Sequence, residues 1–323
     1  MTNSPTLAGS SCLVLGARGF IGSHLTDALL AAGAHVRAFD RPGIQAVKGV
    51  PDDKRPGLTS LEGDLVSTKD IDVALEGVDV CYHLVSTTLP KTSNLDPAYD
   101  IETNLLGTLR LLDAAVRHKV KRVVFTSSGG TVYGNPCHTP IAENHPTEPT
   151  CSYGIMKLAI EKYLALYQQL HGLQHTVLRL ANPYGERQRI EASQGAIAVF
   201  LGRALRDEGI EIWGDGSVVR DYLHISDVVR ALLAAATPGS ANQVFNIGSG
   251  QGSSLNTLLS TIRDVTGKDL KVGYQPGRGF DVPVNVLDVT RAAKQLGWRP
   301  QTDLHTGISQ TWQWIQQEYG RRA

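Results

Sequence analysis

At 323 residues the chain is too long for one small core, which leaves one large α/β domain or two domains. Its 31 basic and 31 acidic residues cancel, so no global field draws it to nucleic acid or anionic lipid. A composition of 41% hydrophobic and 19% charged residues, with no apolar run near the roughly 18 residues of a membrane span, fits a soluble enzyme.

The N-terminal MTNSPTLAGSS lacks a basic n-region, and the first apolar stretch is broken by Arg18 and glycines, which argues against a signal peptide. The four cysteines, Cys12, Cys81, Cys137 and Cys151, show no CxxC spacing. Two of them fall in apolar strand-like runs, where buried free thiols are expected rather than a metal site or a disulfide, and a reducing cytoplasm fits that usage.

Along the first half, short apolar runs (CLVLG, HVRAF, VDVCYHLV, VKRVVFT, HTVLRL) alternate with amphipathic stretches such as Ile21, Leu25, Ala28, Leu29 and Ala32. Strand and helix in series imply right-handed crossovers and a parallel sheet covered on both faces, a doubly wound α/β (Rossmann) fold. After about residue 182, Gly/Asp/Pro-rich loops separate shorter elements. We therefore expect a dinucleotide-binding domain over 1–182 and a smaller α/β substrate-binding domain over 183–323, with 221–247 packing back on the first.

GARGFIG follows the first strand directly, with Gly16, Gly19 and Gly22 opening the first helix. Absent Cβ atoms let the backbone approach a pyrophosphate, and a helix N-terminus offers free N–H groups and a positive dipole end. The second strand ends in Asp40, roughly twenty residues on, where a carboxylate accepts from the adenosine ribose and opposes a 2′-phosphate. NAD is thereby favoured over NADP, although Arg41 is adjacent. Asp64, in EGDL after the third strand, is a candidate neighbour of the adenine.

SSGGTVYG, residues 127–134, closes the VKRVVF strand with hydroxyls and paired glycines. Tyr153 and Lys157 stand four apart at the start of a strong helix and share one face, where an ammonium stabilises a phenolate. Such a tyrosine is a general base for a sugar or alcohol hydroxyl; two surface neighbours at this spacing would look the same.

Taken together, GxxGxxG, Asp40, Asp64, the SSGGTVYG strand end and YxxxK resemble the extended short-chain dehydrogenase/reductase superfamily, closest to NAD-dependent nucleotide-sugar epimerases and dehydratases of the UDP-glucose 4-epimerase group. LRLANPYG, GDGSVVRDYLHISDV, NIGSG, GRGFDVP and AAKQLGWRP carry the likeness through the second half. The resemblance implies NAD held by Gly16, Gly19, Phe20, Ile21, Gly22, Asp40, Arg41, Asp64, Leu65, Leu84 and Asn104, with Tyr153 as base and Lys157 lowering its pKa. It implies a UDP-sugar held by Asn182, Trp213, Arg220, Arg278 and Asp281, and no metal. Asn285 stands where related epimerases carry a bulky sugar-pocket residue, which would leave room for a 2-acetamido group.

In this family a serine or threonine commonly completes the catalytic set at the position of Gly129. Its loss is expected to open space, with Thr131 and Ser128 supplying the hydroxyl. Dehydratases and decarboxylases typically carry a carboxylate just before VYG, where this chain has Gly129, Gly130 and Thr131, so C4 epimerisation is expected, with a 4,6-dehydratase or 4-keto reductase of the same superfamily as the alternative and a non-catalytic NAD-sensing protein as the alternative of another class. Related enzymes dimerise through a four-helix bundle. The wide apolar arc of the Tyr153 helix (Ala159, Tyr163, Leu166 and Leu170 beside Met156, Ile160, Leu164 and Tyr167) and IETNLLGTLRLLDAAV fit that homodimer.

Overall fold

The computed structural model describes residues 7–50, 54–192, 194–277 and 282–320. Seven parallel strands form the central sheet: β1 (Ser11–Leu15), β2 (His35–Asp40), β3 (Leu58–Glu62), β4 (Val80–His83), β5 (Arg122–Ser128), β6 (Gln174–Leu180) and, from the second half of the chain, Gln243–Ile247. Their spatial order, from β3 through β2, β1, β4, β5 and β6 to Gln243–Ile247, reverses between β1 and β4. Such a reversal opens a crevice at the carboxyl ends of the strands, the place where doubly wound sheets bind ligands.

Helices α1 (Phe20–Ala31), α2 (Thr68–Leu75), α3 (Pro97–Asp100), α4 (Gly107–Arg117) and α5 (Ser152–His171) link these strands, with a π-helix at Ile101–Leu106 running into α4. Successive β1 side chains point to opposite faces. Cys12 and Val14 pack with Leu25 and Leu29 of α1 in one core, while Leu13 and Leu15 pack with Ile71, Leu111, Met156 and Ile160 in the other. Both faces are thus covered, which is why these strands read as continuous apolar runs.

After β6 the chain forms β7 (Asn182–Tyr184), α6 (Ala196–Leu205), β8 (Ile210–Trp213) and β9 (Val219–His224). It then returns to the sheet: α7 (Ile225–Ala235) buries Val228 and Leu232 beside α1, and the strand Gln243–Ile247, now β10, pairs with β6. Finally come β11 (Gly252–Ser254), α8 (Leu255–Thr266), β12 (Val272–Gln275), β13 (Val284–Asn285) and α9 (Leu304–Tyr319). Helices α6, α8 and α9 share a third core around Phe200, Leu258 and Trp312. Among the described residues no helix is long and apolar enough to cross a membrane.

Candidate active site

At the end of β1 the backbone turns through Gly16, whose φ of +86 a side chain rarely adopts. A Cβ on Gly22 would lie 2.8 Å from the Ala17 Cα and closer still to the Gly16 carbonyl, so α1 can seat on the turn only with glycine there. Gly19 caps α1 without a side chain, and the helix N-terminus carries no acidic residue in its first turn. Asp40 Oδ2 accepts from the Arg18 backbone N–H at 2.6 Å, fixing the carboxylate at the mouth of the turn. Burial pushes the Asp40 carboxyl up, opposed by that N–H and by the charges of Arg18 and Arg41. A glycine cradle, an unblocked helix end and a placed carboxylate fit the pyrophosphate and ribose of a dinucleotide.

Phe20 and Ile21 are half-buried on the first turn of α1, and Arg41 is exposed beside Asp40. Asp64 Oδ1 accepts from Val66 N at 3.1 Å, shaping the loop on which Leu65 is buried, and Gly107 packs against Leu65. Leu84 continues β4 by donating to the Leu15 carbonyl. Asn104 is 2% exposed, and its amide is spent inside the protein: Oδ1 accepts from Thr87 N, and Nδ2 donates to Thr87 Oγ1 and Asp100 Oδ1. It therefore braces the loop after β4 from below.

Tyr153 and Lys157 occupy the first two turns of α5. Lys157 is 2% exposed, its Nζ donates to the Thr126 carbonyl at 3.0 Å, and it lies over the Phe125 and Tyr153 rings at 4.7 and 5.5 Å. Burial pulls its ammonium down to about 8 against the pull of Asp100 and Glu161. Tyr153 lines the cleft, yet its phenol is pushed up, by burial first and then by Cys151 and Asp100. The expected depression by Lys157 is thus not what shifts the phenol in the protein alone, where desolvation penalises the phenolate and the neighbouring Cys151 and Asp100 add to it.

Gly129 overturns one expectation. A Cβ there would meet Leu287 Cδ1 at 2.5 Å, so the space left by the missing family hydroxyl is already filled by Leu287. Thr131 and Ser128 line the cleft beside Tyr153, and Thr131 Oγ1 is enclosed without a hydrogen-bond partner among the described residues. Ser127, by contrast, points inward and donates to Glu161 Oε1. Glu161 pairs with Arg179 at 2.6 Å, Arg179 donates to Tyr133 Oη at 2.9 Å, and Tyr133 donates to Asn246 Oδ1 at 2.6 Å. This network joins β5, the VYG turn, α5, β6 and β10, and sets the height of the strand end against the Tyr153 helix. Ser127, Tyr133, Arg179 and Asn246 fall within the motifs SSGGTVYG, LRLANPYG and NIGSG, but nothing in those motifs pairs them with one another or with Glu161, one helical turn beyond Lys157.

The cleft between the sheet and the core of α6, α8 and α9 has a volume of about 660 Å³. Tyr153, Ser128 and Thr131 lie on its wall with Asn182, Trp213 and Arg220. Asn182 Nδ2 donates to the Asp221 carbonyl, Trp213 is 43% exposed, and Arg220 donates to the Val219 and Val282 carbonyls. Arg278 and Asp281 lie outside the described residues. Asn285 departs from expectation: it is 2% exposed, stands behind the lining and donates to the Gly129 carbonyl at 3.2 Å, because its β13 position pairs with β9 and faces the strand end.

A model of the NAD dependent epimerase/dehydratase family matches residues 12–248. The chain is 37% identical to a UDP-glucose 4-epimerase of Mycolicibacterium smegmatis over 93% of this chain and 96% of that protein. It is similar to the solved UDP-glucose 4-epimerase of Thermotoga maritima with UDP-glucose, at 36% identity and a TM-score of 0.90, covering 95% of this chain and 99% of the other. The Thermus thermophilus UDP-glucose 4-epimerase, solved with NAD, is similar at 32% identity and a TM-score of 0.86, with the same coverage of 95% and 99%.

Proposed function

The chain belongs to the NAD-dependent epimerase/dehydratase family, and from that premise we propose that it is an NAD-dependent enzyme that inverts C4 of a UDP-hexose or UDP-N-acetylhexosamine through a transient 4-keto sugar. The observation that carries this reading is one cleft that presents Tyr153, with Lys157 a turn below it, and also Trp213 and Arg220. A phenol poised over a hydroxyl belongs at the sugar, and an indole and a guanidinium suit a uracil and a diphosphate.

The Gly16–Gly22 turn and Asp40 would hold NAD, which would supply a hydride acceptor and donor. Tyr153 Oη takes the proton from sugar O4 and returns it after the 4-keto sugar has turned. Lys157, held to the Thr126 carbonyl, keeps a positive charge beside the phenol and helps it lose its proton. Ser128 and Thr131 orient O4 from the strand end. Dehydration would need a further acid and base at C5 and C6, and the strand end offers Gly129, Gly130 and Thr131 in their place.

Residues 1–182, with 221–247, hold the dinucleotide, and the remainder of 183–323 holds the nucleotide sugar, with Arg278 and Asp281 at the diphosphate and ribose. Asn285 acts on sugar choice through Gly129 rather than by direct contact. The exposed Ile101, Leu106, Ile155, Leu166 and Leu170 on the outer faces of the π-helix and α5 support a homodimer built on a four-helix bundle. Cysteine usage supports a cytoplasmic location.

Purified protein offered UDP-glucose, UDP-galactose and their 2-acetamido counterparts should interconvert the C4 epimers, read by proton NMR. A 4-keto-6-deoxy product would overturn the epimerase reading. Tyr153→Phe should keep NAD bound and lose about 10²-fold or more in kcat, the usual scale of general acid–base catalysis.

A further inference from the structure

Below the cleft wall lies a carboxylate that neither the glycine turn nor the Tyr153–Lys157 pair accounts for. Asp100 is fully buried at the end of α3, and among the described residues no lysine, arginine or histidine pairs with it. Three neutral donors hold it instead. Its Oδ1 accepts from Thr88 Oγ1 at 2.6 Å and Asn104 Nδ2 at 2.9 Å, and its Oδ2 accepts from Ser152 Oγ at 2.7 Å.

Those donors belong to three different segments. Thr88 lies on the loop that walls the cleft, Asn104 lies in the π-helix, and Ser152 is the first residue of α5, immediately before Tyr153. Neighbouring bonds tie the same pieces together: Tyr153 N donates to Ser93 Oγ at 3.0 Å, and Ser152 N donates to Asn94 Oδ1 at 2.8 Å. The free N–H groups at the start of α5 are thus capped by the cleft wall, since its own N-cap, Cys151, makes no side-chain cap bond. Burying a carboxylate is costly unless its hydrogen bonds are met, and here three neutral donors meet them, with the buried Lys157 ammonium the cation that its charge acts on.

We propose that Asp100 is a positioning residue of the Tyr153–Lys157 pair: its carboxylate locks the start of α5 to the loop that walls the cleft and so fixes where the Tyr153 hydroxyl meets the sugar. The proposal rests on the assignment of Tyr153 as the base. The lock also places a negative charge beside the pair. The other titratable groups that face the pair are Cys151 at the start of α5, Glu161 on the same helix, which is paired with Arg179, and His83 on β4, which burial keeps neutral. Asp100 is therefore the carboxylate of the set with no ion-pair contact among the described residues, and its charge favours both the Lys157 ammonium and the protonated phenol.

Three full-length variants separate the two contributions. Asp100→Ala removes every bond of the lock and should lower kcat at least 10-fold with KM for UDP-galactose within threefold of wild type. Asp100→Asn keeps an acceptor toward Thr88 and Asn104 and an N–H toward Ser152, so it should recover kcat to within about threefold. Ser152→Ala loses one bond at the half-buried helix start and should lower kcat three- to tenfold, which keeps the test valid if Asp100→Ala does not fold. Difference titration at 295 nm of each protein against its Tyr153→Phe counterpart reads the phenol without turnover, and in Asp100→Asn the phenol should ionise at lower pH than in wild type. A kcat within twofold of wild type in Asp100→Ala or Ser152→Ala, or no recovery in Asp100→Asn, overturns the proposal, as does an unmoved phenol midpoint. Failure of the epimerase reading shows differently, as a wild-type protein that converts no UDP-hexose while the titration still reports on Asp100.

Discussion

At the scale of the residue, Gly129 shows how an apparent deletion can be a repacking. A serine there would place its Cβ 2.5 Å from Leu287 Cδ1 and 3.3 Å from the Leu180 carbonyl, at a buried position between the half-buried Ser128 and the exposed Gly130. Overpacking of this kind costs about 1 to 3 kcal/mol, since neighbours must leave their rotamer minima. Gly129→Ser should therefore lower the urea midpoint and reduce kcat instead of restoring a family feature. Adding Leu287→Ala makes room for the new side chain, so the double variant should regain stability relative to Gly129→Ser. Equal stability of the single variant and wild type would show that Leu287 moves aside without cost. Sequence alone could register the missing hydroxyl, because the VYG landmark is local. The side chain that fills its place comes from 158 residues later, beyond the reach of any spacing rule.

At the scale of the element, the strands of the sheet carry buried polar groups whose cost varies with pH. His175 on β6 is 4% exposed, and its Nδ1 is enclosed without a hydrogen-bond partner among the described residues. Burial, reinforced by Arg122, pulls it down to about 4 from 6.5. On acidification the unfolded chain takes up this proton first, so between about pH 6.5 and 4 the unfolded state binds more protons and stability falls as pH falls; below about 4 the loss levels off. Each such histidine contributes a slope of up to about 1.4 kcal/mol per pH unit, or about 2 kcal/mol by pH 5. Urea unfolding at pH 7 and pH 5 should show wild type losing that much more than His175→Gln, and an equal loss in both would remove His175 as a source of acid sensitivity. The glycine turn, Asp40 and the YxxxK helix were legible because each is a short-range pattern with one local cause. The segment 221–247 was expected to pack back on the first domain, but Gln243–Ile247 was not read as a strand, since its five residues lie in a loop-rich half and join the sheet by pairing with β6. The bonds of Asp100 to Thr88 and Ser152, and of Arg179 to Glu161, span 12 to 52 residues and likewise leave no periodic signature.

At the scale of the whole molecule, one helix serves two masters. The inner row of α5, Met156, Ile160 and Leu164, is 2% exposed or less and holds Tyr153 and Lys157 against the sheet. Its outer row leaves Ile155, Leu166 and Leu170 at 57%, 40% and 65% exposure, beside Ile101 and Leu106 of the neighbouring π-helix. Exposed apolar side chains on two neighbouring helices are costly to leave in water, and the proposed homodimer would cover them through a two-fold axis. Light scattering should accordingly give twice the chain mass at micromolar concentration. Leu166→Glu with Leu170→Glu places charges across that axis from their own copies and should yield monomers, with near-UV circular dichroism unchanged because both side chains point away from the core. The Tyr153 end of α5 is anchored within the monomer by Ser93, Asn94 and Asp100, so those monomers should retain at least a tenth of wild-type kcat. A monomer without activity but with intact NAD binding would instead mean that the partner copy helps to hold α5 in place.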